Sequence, residues 1–196
     1  MWKQEILSFV EKFEHPAWGV PHFKRVYELS LHLTELHGMK VDEDCLFAAA
    51  YLHDIGAFEP YKQSGVDHAE RSAQIADEIL ASVGFPLEKT TLVKEIIRGH
   101  MFYVDPADRN EVILFHDADT LEFMGCIGIA RLLSIVGLDD WTPDLASAVK
   151  LIERFSRELP DRLYTSKAKE MGQARQAEML IFLTGLSDET SGLETL

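Results

Sequence analysis

The sequence predicts an all-α protein. Three observations carry that prediction. Apolar residues recur at the three-and-four spacing of a helix face through most of the 196 residues. β-branched residues never alternate cleanly with polar ones, as half-buried strands require. Helix starts (Pro21, Asp42, Asp67) and stops (Gly38, Gly56, Gly84) punctuate the chain at helical lengths.

The elements follow in order. "EILSFVEKF" places Ile6, Phe9, Val10 and Phe13 on one helix face. "PHFKRVYELSLHLTELHG" opens with Pro21, whose fixed φ suits a first helical turn, and closes near Gly38. "VDEDCLFAAAYLHDIG" predicts a helix from about Asp42 that stops at Gly56. "DHAERSAQIADEILASVG" begins with Asp67 as N-cap, because a short carboxylate can accept from the first free backbone N–H groups, and ends at Gly84. "PLEKTTLVKEIIRGH" is a further helix, and others are expected near 110–124, 126–136, 143–158 and 161–185. The tail "SDETSGLETL" is polar and expected to fray. The expected organisation is one helical domain over 1–187 and a polar tail over 188–196, without internal repeats.

Composition narrows the function classes. The length suits one domain with a sizeable core. No run of about 18 apolar residues predicts a membrane span. The opening "MWKQEILSFVEKFE" carries acids where a secretory signal would be apolar. Cys45 and Cys126 stand far apart with no CxxC, which fits a reducing cytoplasm. The net charge of −14 argues against a long nucleic acid as partner, since backbone binding needs a basic face. A small anionic substrate stays open, because a bound cation can reverse the local field.

One stretch breaks the apolar pattern. "AAAYLHDIGAF" ends a core-like helix with His53 and Asp54. Ionisable groups are costly in a core unless paired, hydrogen-bonded or bound to metal. Companions stand on neighbouring elements: His22 in "PHFKRV", His68 in "DHAERS", His100 in "IRGHMF", and Asp117 and Asp119 in "FHDADTLEFMG". Imidazole and carboxylate together suit Mn, Fe, Zn, Co or Ni better than Ca. The order H…HD…H…H…DxD on successive helices therefore reads as a metal site. Two loops adjoin it, "AFEPYKQSGVD" and "MFYVDPADR", where a lid or specificity element would be useful.

This order resembles the HD-domain metal-dependent phosphohydrolase superfamily, and most nearly its small stand-alone bacterial members, some of which are nucleotide pyrophosphatases. The matching text is "HFKRV", "AAAYLHDIG", "HAERSAQIADEIL", "IRGH", "DADTLEFMGCIGIAR" and "TSKAKEMGQAR", over roughly residues 20–185. The resemblance implies an HD-type helical bundle with the site between its central helices. It implies His22, His53, Asp54 and Asp119 as metal ligands, with Asp117 competing for the last place. It places His68 and His100 beside the metal, as catalytic groups or as ligands of a second ion. Manganese is the favoured ion, with Fe, Co, Ni, Zn or Mg as alternatives.

Other residues complete the expectation. Arg25 lies one turn after His22, and a guanidinium can bind phosphate bidentately. Lys167 and Arg175 match the family's C-terminal block as phosphate arms, and Phe102 and Tyr103 could stack on a base. His15, His32, His37 and His116 are taken as structural or surface residues. The implied activity is hydrolysis of a small phosphorylated substrate, with nucleotides favoured, Asp54 or Asp119 orienting water or taking its proton, and His68 or His100 protonating the leaving oxygen. Two rivals stand: a mixed-valent di-iron oxygenase on the same ligand order, and a nucleotide sensor without turnover. Ala57 departs from the resembled superfamily's nucleotidases and alarmone hydrolases, which carry a Glu there, and from its cyclic-dinucleotide phosphodiesterases, which carry a Lys, so neither subfunction is implied.

Overall fold

The computed structural model describes residues 1–193 and 195–196. Among the described residues it is all helical, with nine α-helices, three short 3-10 turns and no strand. They are α1 (Trp2–Val10), α2 (Val20–His37), α3 (Glu43–Leu52), α4 (His68–Ser82), α5 (Thr90–Arg98), α6 (Asn110–Glu122), α7 (Gly125–Ser134), α8 (Leu145–Glu158) and α9 (Ser166–Glu189). The chain divides into two compact units, Met1–Asp119 and Thr120–Leu196, with the boundary inside α6.

In the first unit α3 is the central element. Every residue from Cys45 to Leu52 is buried, and α1, α2 and α5 pack against it. A helix that is apolar all round belongs inside a core. The Ala48–Ala49–Ala50 run lets neighbours approach closely, while Phe23, Leu46, Leu52, Ile96 and Ile97 fill the remaining space. Asp42 caps the start of α3, its carboxylate accepting from the Asp44 and Cys45 N–H groups. α4 packs on α5 and on the 3-10 turn Ile55–Ala57 that follows α3.

In the second unit α7, α8 and α9 pack pairwise around Leu132, Ile152, Phe155 and Met179. Arg131 is buried there, donating from Nη1 to the Glu122 carbonyl at 2.9 Å and facing the Phe123 ring.

Several element boundaries differ from the sequence expectation. The helix expected to reach Gly56 ends at Leu52, and the His53-Asp54 pair forms the turn after it. His53 keeps helical angles and its N–H still reaches the Ala49 carbonyl, but Asp54 sits at φ −101°, ψ 0°, the sparsely allowed bridge region. The helix expected over 161–185 is instead a 3-10 turn at Leu159–Arg162, opened by Pro160, followed by α9 from its Thr165 cap. α9 runs on through Glu189, so the first two residues of the expected tail are helical.

Candidate metal centre

The side chains that converge do so because turns and glycines hold their helix ends together. His22 is in the first turn of α2, behind Pro21. The preceding turn is folded by His15, whose Nδ1 accepts from the Ala17 and Trp18 N–H groups, both at 3.2 Å. Gly19 closes it, since a Cβ there would lie 2.8 Å from the His15 carbonyl oxygen. Gly56 joins the turn after α3 to α4. A Cβ on it would stand 2.4 Å from the His68 carbonyl oxygen, and its N–H donates to Ser72 Oγ at 2.8 Å. That contact sets Asp54 against His68.

The geometry has one centre of gravity, the Asp54 carboxylate. Its Oδ2 lies 3.2 Å from His53 Nε2 and 3.6 Å from His22 Nε2. Its Oδ1 lies 3.4 Å from His68 Nε2 and 3.6 Å from His100 Nε2. Asp119 Oδ1 closes the first side, 3.3 Å from His22 Nε2 and 3.8 Å from His53 Nε2. Like groups face each other: His22 and His53 present Nε2 atoms 3.2 Å apart, and His68 and His100 present theirs 3.3 Å apart. Among the described residues, two trios bring their donor atoms within 4.8 Å of one another: His22, His53 and Asp119, and His53, Asp54 and His100.

The donors fit a divalent ion. His53 Nδ1 donates to the Ala50 carbonyl at 2.9 Å and His100 Nδ1 to the Ile97 carbonyl at 2.6 Å. A carbonyl can only accept, so the proton of each neutral ring sits on Nδ1 and a bare Nε2 lone pair points inward. Asp119 Oδ1 is buried and, despite the nearby imidazole, lacks the geometry of a hydrogen bond. Buried carboxylate oxygens without a donor are rare and call for a cation. Burial works against ionising Asp54, but the imidazoles of His53, His100 and His68 around it outweigh burial and hold its carboxyl well below the usual range. Asp119 is likewise held down to about 2, with the His22 contact overcoming burial. Both are anionic at neutral pH, as ligands must be.

Asp117, the competing ligand, is fully buried but belongs to neither trio. His116 is a strut: its Nδ1 donates to the Gly99 carbonyl at 2.9 Å, one residue before His100. Its fully buried position was not legible as a support, since only the fold brings Gly99 to α6. Arg25 is half-buried on α2. Phe102 and Tyr103 meet edge to face at 5.3 Å, and Tyr103 stays largely exposed. In the second unit Lys167 pairs with Glu170 at 2.7 Å on the surface of α9, and Arg175 donates to the Leu121 carbonyl and packs under Gly125. Asp67, which the sequence marks only as a helix cap, also stands beside His68, its Oδ2 3.9 Å from the ring Nδ1.

An all-helical chain with a buried cluster of histidines and aspartates at helix ends defines a class, helical proteins built around a candidate metal site. The chain belongs to the HD domain family, whose profile matches residues 20–124. No curated protein sequence matches it. Solved structures share its fold along nearly the whole length. Bacillus subtilis YpgQ, crystallised in complex with ADP, is 24% identical with a TM-score of 0.70, over 98% of this chain and 100% of its own. An HD-superfamily hydrolase from Bacillus thuringiensis is 23% identical with a TM-score of 0.66, over 96% of each chain. A predicted HD superfamily hydrolase from an uncultured Thermotogales bacterium is 23% identical with a TM-score of 0.64, over 96% of this chain and 90% of its own. Among the described residues, no helix is long and apolar enough to cross a membrane.

Proposed function

We propose that this protein is a divalent-metal-dependent phosphohydrolase acting on a small phosphorylated substrate, a nucleotide in preference to other phosphoesters. The observation that carries the reading is the Asp54 carboxylate set between two imidazole pairs, with the unbonded Asp119 Oδ1 beside one of them. His22, His53, Asp54 and Asp119 would hold the ion, with manganese as its favoured identity. When bound, such an ion neutralises phosphoryl charge and acidifies a water. The nucleotide preference draws on the ADP held by a neighbour of the same fold. A cytoplasmic setting agrees with two cysteines that are both free thiols.

The chain's own residues divide the remaining work. Phosphoryl transfer asks mainly for positioning and charge neutralisation. Asp54 is anionic and orients the attacking water. As the P–O bond to the leaving group breaks, His68 Nε2 gives that oxygen its proton. His68 suits this task better than His100, because its side chain is 23% exposed and that of His100 is sealed. His100 holds the far side of Asp54. Arg25 is the candidate arm for non-reacting phosphates, with Phe102 and Tyr103 as candidates to stack on a base.

The test is a release assay for phosphate and pyrophosphate across nucleoside mono-, di- and triphosphates, with Mn²⁺, Mg²⁺, Co²⁺ and Ni²⁺ in turn. Metal-dependent release from a nucleotide supports the reading, and no release from any member overturns the nucleotide preference. One observation favours a second reading. Asp54 faces a histidine pair with each oxygen, so these residues would have donors enough to hold two ions. A mixed-valent di-iron oxygenase would use those five side chains together with Asp119. Two irons per chain with oxygen consumption would select it over hydrolysis, and nucleotide binding without turnover would select a sensor.

A further inference from the structure

We infer that the exposed face of α9 is a self-association surface, on which a second copy of this chain lays its own α9 antiparallel. The inference goes beyond the hydrolysis proposed above and does not rest on it.

From Leu180 to its end at Glu189, α9 buries no side chain, although Leu180, Ile181, Phe182, Leu183 and Leu186 lie there. Apolar side chains all round a helix belong inside a core. Ile181 is 74% exposed and Leu180 48%. The uncovered face continues back along the helix. Ala174, Ala177, Ile181 and Thr184 follow one another on it at helical spacing, with Leu180 beside them, and none is charged. Glu178, at its edge, turns to accept from the Cys126 N–H at 3.1 Å. The Thr184 hydroxyl donates to the Leu180 carbonyl at 2.8 Å, so its proton needs no water. A Cβ on Gly172 would collide with Leu163, but one on Gly185 would meet nothing within 4 Å. Glycine inside a helix is unfavourable, and nothing in this chain requires one at 185. A second helix crossing closely over small residues does require it.

Charge selects the occupant. The start of α9 carries Lys167 and Lys169, and its last turn carries Asp188 and Glu189. Lys167 is taken up by Glu170 at 2.7 Å, while Lys169 is exposed, as is Asp188. A parallel copy would set like charges side by side. An antiparallel copy, related by a two-fold axis at the level of Met179, sets each Lys169 against Asp188 of the other chain and opposes the two helix dipoles. The same register puts Glu170 by Ser187, Gln173 by Thr184, and Leu180 over Ala177, a large side chain against a small one. An anionic lipid surface does not fit, because acids end this face and the chain carries a net charge of −14. One helix face is smaller than the usual stable dimer interface, so association should be reversible, with a dissociation constant on the order of 10–100 μM.

Sedimentation velocity of the full-length chain tests this, over concentrations from about 5 to 500 μM that bracket the expected constant. The average mass should rise from one chain toward two. Ile181→Asp places a charge on an exposed site and should stay at one chain throughout. Lys169→Asp and Asp188→Lys should each weaken association about fivefold, since each sets two like-charged pairs across the two-fold axis. Both changes suit the dipole of α9 at their own ends, so the helix itself is not weakened. The double variant restores each pair with its signs exchanged and should return toward wild type. Unchanged far-UV circular dichroism in every variant separates lost association from lost fold. A wild-type chain that stays at one chain at every concentration would overturn the inference. So would an Ile181→Asp protein that associates as wild type does, or a double variant no tighter than the single ones.

Discussion

The two sides of Asp54 are built differently. On one side His22, His53 and Asp119 are sealed, each at most 1% exposed. On the other, His100 is sealed too, but His68 is part-open and the groups behind it, Asp67 and Tyr103, reach solvent. The first side draws its order from core helices, the second from a helix N-terminus and a loop. A closed set of bare nitrogens and carboxylates is suited to holding an ion, because water cannot compete for it. A half-open imidazole is suited to exchanging a proton with a substrate that must come and go. The contrast predicts that substitutions on the sealed side remove the metal, and that those on the open side leave it in place and slow turnover.

The largest effects belong to the sealed side and to Asp54, which closes it. His53→Ala and Asp54→Ala should each abolish uptake of divalent metal and all hydrolysis while far-UV circular dichroism stays helical. Metal analysis of the purified variants checks this, and metal content equal to the parent's would refute the ligand assignment. Asp119→Ala should lower metal affinity or activity by on the order of 100-fold, and Asp117→Ala by clearly less. The opposite ranking would move the ligand to Asp117.

The joint between the sides comes next. Gly56→Ala introduces a Cβ against the His68 carbonyl oxygen and the Ser72 nitrogen, backbone atoms that cannot swing aside. It should cost about 2 kcal/mol of stability, read by chemical denaturation, and lower kcat as Asp54 shifts against His68. Stability and kcat both unchanged would show that the close approach is not required. On the open side, His68→Ala should reduce kcat while metal content stays that of wild type. Lost metal would make His68 a ligand and favour the two-ion reading.

The smallest effect lies away from the site, at the start of α3. Lys89 Nζ reaches Asp42 and Asp44 at 2.9 and 3.2 Å, and Lys3 reaches Asp44 at 2.9 Å. Burial raises Asp42, but Lys89 and the cap hydrogen bonds outweigh it, and the Lys3 bond lowers Asp44. Both carboxyls are depressed by folding. Their contribution is therefore complete above the ordinary value of 3.8 and drains away as pH falls through the lower folded values. Lys89→Met should flatten the acid side of the stability curve below about pH 4, by under about 1 kcal/mol for these part-exposed pairs. An identical acid limb in the variant would contradict it.

Much of this was legible in the sequence, and the gaps have physical causes. Helix starts at Pro21, Asp42 and Asp67 could be read because caps act within a few residues. The ligand order could be read because histidines and aspartates are costly among apolar neighbours. The end of α3 could not, since apolar periodicity continues through Ile55 while the backbone has already turned at Asp54. Gly56 reads as a helix stop and Gly99 as part of a helix, yet what requires a glycine at each is a close approach of distant atoms, to His68 and to Val112. Asp117 and Asp119 lie two residues apart on α6, about 200° around the axis, so they face different ways. Spacing alone does not say which way the site lies. Asp67 and Tyr103 were visible singly, but their bond spans two segments that only tertiary structure joins.

The central claim is that the sealed side holds the ion on which hydrolysis depends. It is tested most directly by stripping wild-type protein with a chelator, adding back Mn²⁺ in steps, and following phosphate and pyrophosphate release from nucleoside triphosphate beside Asp54→Ala. The account predicts no release after stripping, recovery that saturates with bound metal, and none in the variant at any Mn²⁺ concentration. Hydrolysis that survives stripping, or an Asp54→Ala protein that recovers as wild type does, would contradict it.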